Sequence, residues 1–213
     1  MLNFSRHISI VLLATALLLI AGCQPRGEKA RYRFDVSLTL DDSLRHDSCA
    51  TLHIIDDTYG RLMPGITAYF TDGSVSFSGQ TSNAHAAFAT FDSITPPFYF
   101  ILEPTTIDIH IRRGRWTMTG GRGNAEYVQF LNHRQRIIDA RQKGFADYKR
   151  AALDSTLTLR SERQAVIADS VLADSLQHLL LNRMRGDNPV SRIVRERFIG
   201  TLTPSSLRQL NLK

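Results

Sequence analysis

The sequence predicts an α+β protein: an N-terminal antiparallel β-sandwich-like sheet of about eight strands, then a helical segment of three to four helices. Three observations predict it. Apolar residues alternate with period two from Arg31 to about Arg122, clusters of turn residues punctuate that stretch, and after Gly123 the apolar period becomes that of a helix.

Before the first strand stands a different kind of segment. Residues 1–22 read as a secretory signal: Arg6 and the amino terminus supply positive charge, and an apolar run extends from Ile8 to Ile20. That run falls short of the roughly 20 residues a membrane span needs. The small residues Ala21 and Gly22 follow, as a peptidase site requires, and then Cys23. Residues 24–31, QPRGEKAR, contain Pro, Gly and charge but no large apolar residue, and read with Cys23 as a tether over 23–31.

The β-rich region is expected over 32–123. In YRFDVSLTL, the residues Tyr32, Phe34, Val36, Leu38 and Leu40 share a face; in CATLHI, Ala50, Leu52 and Ile54 oppose Cys49, Thr51 and His53. SVSFSG, AHAAFATF, PFYFILE, TIDIHIRR and RWTMTG continue the series, separated by DDTYG, TDG, SNA, TPP, RRG and GGRGN. The helical segment is expected over 124–213. Asn124 reads as the cap of a helix with Tyr127, Phe130, Leu131, Ile137 and Ile138 on its stripe. A second helix is expected from about Phe145 to Arg185, with Leu153, Leu157, Ala168, Leu172, Leu176, Leu179 and Leu180 as core positions. Asn188-Pro189 and Thr203-Pro204 each read as a cap followed by proline at the first helical position.

Charge and cysteine content narrow the function. The chain of 213 residues carries a formal net charge of +6. Residues 124–213 hold 15 Lys and Arg against 9 Asp and Glu, whereas 23–123 hold 10 against 11, so the excess lies in the helices. The basic residues are scattered and interleaved with acids, which reads as solvated helix faces and not as a nucleic-acid patch. Weak contact of these helices with anionic lipid or an acidic partner is the alternative. With only Cys23 and Cys49 present there is no CxxC, so no dithiol redox site can form. The histidines His46, His53, His85, His110, His133 and His178 form no HxH or HxxxH pair, and no metal or cofactor site is read from them. GGRGN ahead of a helix could offer N–H groups to a phosphate, but reads as a strand-to-helix linker. Glu103-Pro104 reads as a strand terminator, Trp116 as a core or boundary residue, and Cys49 as a strand-end bystander with a sensor thiol as its rival.

Two resemblances add to this reading. Ile20-Ala21-Gly22-Cys23 resembles the bacterial lipobox, which implies cleavage between Gly22 and Cys23 and diacylglycerol on the Cys23 thiol. At roughly 0.8 kcal/mol per buried CH₂, two or three acyl chains hold a protein stably to a bilayer. Gln24, where the inner-membrane retention signal has aspartate, implies the outer membrane, facing the periplasm. The phrases Asp72–Gly79 (DGSVSFSG), Ile101–Pro104 (ILEP) and Gly121–Asn124 (GRGN) with Tyr127 and Phe130 resemble the N-terminal domain of bacterial thioredoxin-like lipoproteins, the domain of unknown function number four-three-six-nine. That family follows this region with a thioredoxin domain bearing CxxC. None is present here, so no catalytic residue carries over. The resemblance implies a non-enzymatic accessory module on the envelope membrane, with an envelope protein as partner. The alternative is a truncated or split thiol-disulfide oxidoreductase lacking its thioredoxin domain.

Overall fold

A computed structural model of the chain describes residues 32–41, 48–55, 64–92, 96–112 and 115–210. The predicted α+β architecture is present. Eight strands, β1 (Tyr32–Leu40), β2 (Cys49–Ile54), β3 (Ile66–Tyr69), β4 (Ser74–Thr81), β5 (His85–Phe91), β6 (Phe98–Leu102), β7 (Thr106–Arg112) and β8 (Arg115–Thr119), precede four helices. These are α1 (Arg122–Leu153), α2 (Leu159–Met184), α3 (Pro189–Phe198) and α4 (Pro204–Gln209).

The strands form two four-stranded sheets, ordered β4-β1-β7-β8 and β3-β2-β5-β6. Their inner faces share one core. Phe34, Val36, Leu38 and Leu40 of β1 and Ile107, Ile109 and Ile111 of β7 meet Ala50 and Leu52 of β2 and Phe100 of β6. Each large apolar side chain buried there contributes roughly 1.5–3 kcal/mol. The pairing departs from an all-antiparallel sheet in one place. β1 and β7 run parallel, Asp35 opposite Thr106 through Leu40 opposite Ile111. The reason is topological: β7 returns from β6 through Glu103–Thr105 at the end where β1 begins, and the Asp35 N–H donates to the Thr105 carbonyl at 3.2 Å.

On β5 the adjacent residues Ala86 and Ala87 are both buried, so this strand is covered on both faces. Its outer face carries α3, which contacts β5 and β6. The α3 stripe Val190, Ile193, Val194 and Phe198 is buried as its spacing predicts, and the Asn188 side chain accepts from the Ser191 N–H. Thr203 caps α4 in the same way, accepting from the Ser206 N–H.

Two helix boundaries differ from the sequence expectation. The first helix starts at Arg122, with Gly121 at its cap position and Asn124 inside the first turn. It also runs unbroken to Leu153, so Phe145 lies within α1 and does not begin the second helix. Gly144 is tolerated in the helix interior at about 1 kcal/mol. The break falls at Ser155, whose φ of 55° ends the helix, and at Thr158, which starts α2 with a capping box to Ser161.

Asn124 does something other than capping. Its Oδ1 accepts from the Ile101 N–H at 2.7 Å, and its Nδ2 donates to the Ile101 carbonyl at 2.8 Å and the Gly120 carbonyl at 3.0 Å. β6 is the edge of its sheet, and the amide takes the place of a next strand. Glu103 supplies the cap, accepting from the Gly123 N–H at 3.0 Å. Gly120 and Gly121 have φ of 93° and 81°, and a Cβ on them would strike the Thr106 carbonyl and the Glu103 carboxylate.

Asn124→Ala leaves the Ile101 N–H and C=O buried without partners. At roughly 1–3 kcal/mol per such group, the expected loss is about 2–6 kcal/mol. Urea unfolding measures it, and a loss below about 0.5 kcal/mol would contradict the bridging role.

Candidate functional site

α1 leaves the body along β6. Its first turn is fixed to Ile101, and one turn later the Tyr127 hydroxyl accepts from Arg197, whose guanidinium lies over the Tyr99 ring at 5.4 Å. The helix therefore runs from the Leu102 end of β6 toward its Phe98 end, away from the end where β1 begins. At 32 residues it is about 48 Å long. Its fully buried residues, Asn124, Tyr127, Phe130 and Ile137, all belong to the first half. In α2, only Leu180, Leu181 and Met184 near the C-terminus are fully buried. The far half of this antiparallel hairpin thus projects beyond the sandwich.

Here the core expectation fails. Leu153 is 75% exposed, Ala168 is exposed, and Leu157 falls in the turn between α1 and α2; beside them Phe145 and Leu159, not among the expected core positions, stand 70% and 77% exposed. Phe145 follows Ile138 by seven residues, so it sits on the same stripe and faces α2. It stays open because its surroundings are small: Ala140 and Gly144 on α1, Ala165 and Ala168 on α2. The result is a cleft of about 720 Å³ between the helices, walled also by Ile138, Tyr148, Val166 and Leu172.

One ion pair spans it. Arg141 donates to Asp169 through Nε at 2.8 Å and Nη2 at 2.9 Å. These hydrogen bonds hold the Asp169 carboxyl below the usual carboxylate range. The lowered value means the pair contributes above the ordinary aspartate range, near pH 4, and its contribution is lost as pH falls through the folded value. Both groups are exposed, so the contribution is small.

The other candidate residues are dispersed. Gly22 and Cys23 lie outside the described residues, as do His7 and His46. His53 is half-buried on the outer face of β2, stacked on Phe88 with centroids 4.7 Å apart, and burial lowers its pKa. His85 lies on β5, and His110, His133 and His178 are exposed. Among the described residues, no three His, Cys, Asp or Glu side chains are grouped to hold a metal, and no helix is long and apolar enough to cross a membrane. The GGRGN turn does not present a bare phosphate nest, since Glu103 already occupies the Gly123 N–H. Trp116 packs edge-on against Phe98 at 5.1 Å.

Cys49 begins β2, half-buried, with its Sγ 3.6 Å from the Asp92 carboxylate. Asp92 also accepts from the Ser48 hydroxyl at 2.7 Å, which holds its carboxyl below the usual range. An anionic neighbour favours S–H over the thiolate, the reverse of the cation that a reactive thiol uses.

Sequence reasoning missed Arg197, which it placed among solvated basic residues. It is half-buried and stacks on Tyr99 and on Phe198. The available signal was its spacing, since it falls on the α3 stripe four residues after Ile193. Compared with known proteins, the chain matches no family model, no curated protein and no solved structure.

If Asp92 restrains the thiol, Asp92→Asn should speed Cys49 alkylation at neutral pH. The expected factor is roughly three- to tenfold, one pKa unit being tenfold in thiolate. The measurement uses iodoacetamide and a chain that also carries Cys23→Ser. An unchanged rate would show that the carboxylate does not control the thiol.

Proposed function

We propose that this chain is an envelope lipoprotein, anchored through lipid on Cys23 and working as a non-catalytic docking module. The anchor rests on the Ile20–Cys23 box and the short apolar run before it. The docking role rests on one observation: the projecting hairpin leaves an apolar seam and its cleft open. Phe145, 70% exposed, and the cleft beside it form apolar surface that a partner can cover. The geometry also suits a tether. The cleft lies toward the end of the sandwich opposite the start of β1, which leaves it clear of the point where the tether joins.

The outer membrane, facing the periplasm, is the location this reading favours. Thiol-disulfide exchange is the less supported alternative, because dithiol exchange needs two thiols within bonding range and Cys49 is next to a carboxylate.

Cys23→Ala is expected to move the protein from the membrane pellet, after a carbonate wash, to the soluble fraction or to leave an unprocessed precursor. Retention of a processed Cys23→Ala protein in the washed pellet would overturn the lipid anchor. The chain from Gln24 onward is expected to show no insulin reduction above a thiol-free control, and turnover well above that control would restore the oxidoreductase reading.

A further inference from the structure

We infer that the cleft of the hairpin is filled by a second copy of this chain, two hairpins pairing about a two-fold axis into an intermolecular four-helix bundle. The inference builds on the docking reading and names its occupant. A two-fold interface uses the same patch on both partners, so that patch must carry both a projection and the hollow that receives it. The cleft face does so. Phe145 stands 70% exposed. Beside it Ala140, Gly144, Ala165 and Ala168 leave the space that opens the cleft, and a Cβ built on Gly144 meets nothing within 4 Å. Phe145 of each copy can enter the hollow of the other, the packing by which hairpins complete a four-helix bundle.

Charge agrees with this pairing. Over 139–153 the α1 arm carries four basic and two acidic residues, while over 159–175 the α2 arm carries two basic and three acidic. A two-fold pairing that sets α1 of one copy beside α2 of the other brings unlike net charge together along both new helix contacts. An anionic lipid surface or an acidic protein would suit the α1 arm and oppose the α2 arm.

Helical spacing also supplies the control. Ile167 and Val171 are exposed by 56% and 58%, yet lie on the side of α2 away from the cleft. Ile167→Asp therefore matches Phe145→Asp in chemistry and exposure but not in place.

The test is light scattering coupled to size exclusion over a micromolar concentration series, on the chain from Gln24 onward, which keeps every described element. The wild type is expected at twice the chain mass and Phe145→Asp at the monomer mass. The circular dichroism and melting of dilute Phe145→Asp should match those of dilute wild type, because the residue lies outside the buried core. Ile167→Asp is expected to remain dimeric. A wild type that is monomeric throughout would overturn the proposal, as would a dimer that survives Phe145→Asp or is lost equally with Ile167→Asp. Flotation with vesicles rich in phosphatidylglycerol completes it. Binding by a monomeric wild type, lost in Phe145→Asp, would assign the cleft to lipid and overturn the self-pairing. Membrane fractionation of Cys23→Ala tests the anchor separately, so neither result stands in for the other.

Discussion

The structure turns on one side-chain amide. Asn124 closes the open edge of β6 by bonding both backbone groups of Ile101, and in doing so sets where the first helix starts and how it leaves the sheet. An edge strand buried under a helix must have its N–H and C=O groups satisfied, and a helix packed against that edge must have its first N–H groups satisfied. Asn124 and Glu103 meet both demands together, since Glu103 directly follows β6 and accepts from the Gly123 N–H of α1. The two glycines before the helix follow from this crowding, because no Cβ fits at either position. Once α1 is aimed along β6, α2 returns beside it and α3 is laid over the outer face of β5, where the small side chain of Ala86 lets the helix approach.

The same junction shows what can be read in advance. Period-two alternation marked β1, β2, β4 and β7 because each has one face on the core and one toward solvent or a polar neighbour, which is the condition for that signal. It said less about β5 and β6, where Ala86, Ala87, Ile101 and Leu102 are buried on both faces and the alternation is lost. The parallel β1–β7 pair was invisible for another reason: strand direction depends on which sheet the chain visits between them, a long-range matter that no local pattern carries. The caps Asn188 and Thr203 were legible because a cap followed by proline is a local motif with a local cause. Asn124 had the right residue type for a cap, but the carboxylate of Glu103, 21 residues earlier, does the capping by accepting from the Gly123 N–H, and the amide is drawn to the strand edge instead.

The candidate site was hidden by a rule that is correct on average. A stripe at helical spacing is a core stripe wherever enough neighbours exist to cover it. The stripe of α1 is covered as far as Ile137, where β6, β8 and α3 are within reach, and uncovered beyond it, where α2 alone faces it across small residues. What distinguishes the two halves is length: α1 outruns a five-residue strand by a wide margin, and no third layer follows it outward. The reverse holds for Arg197 and Arg134, whose charge alone points to solvent. Both guanidiniums lie against Phe198, at 5.0 Å and 4.5 Å from its ring centroid, and cover the end of the α3 stripe with their planar faces.

That use of arginine also bears on the basic excess of the helical half. A net +6 over 124–213 would draw nucleic acid or anionic lipid if it formed one field. It is divided among different tasks. Arg134 and Arg197 are stacked on aromatic rings, Arg141 is paired with Asp169 across the cleft, Arg150 lies 3.7 Å from Asp147, and Arg192 lies 3.9 Å from Asp187. On the projecting hairpin the sign changes from one helix to the other. Such a surface attracts a partner whose charge alternates in the same way and holds a uniformly charged one at a distance. Complementarity of this kind contributes more to choice of partner than to strength of binding. Affinity at the cleft has to come instead from covering Phe145 and the apolar walls around it, which is also the contribution that salt leaves intact.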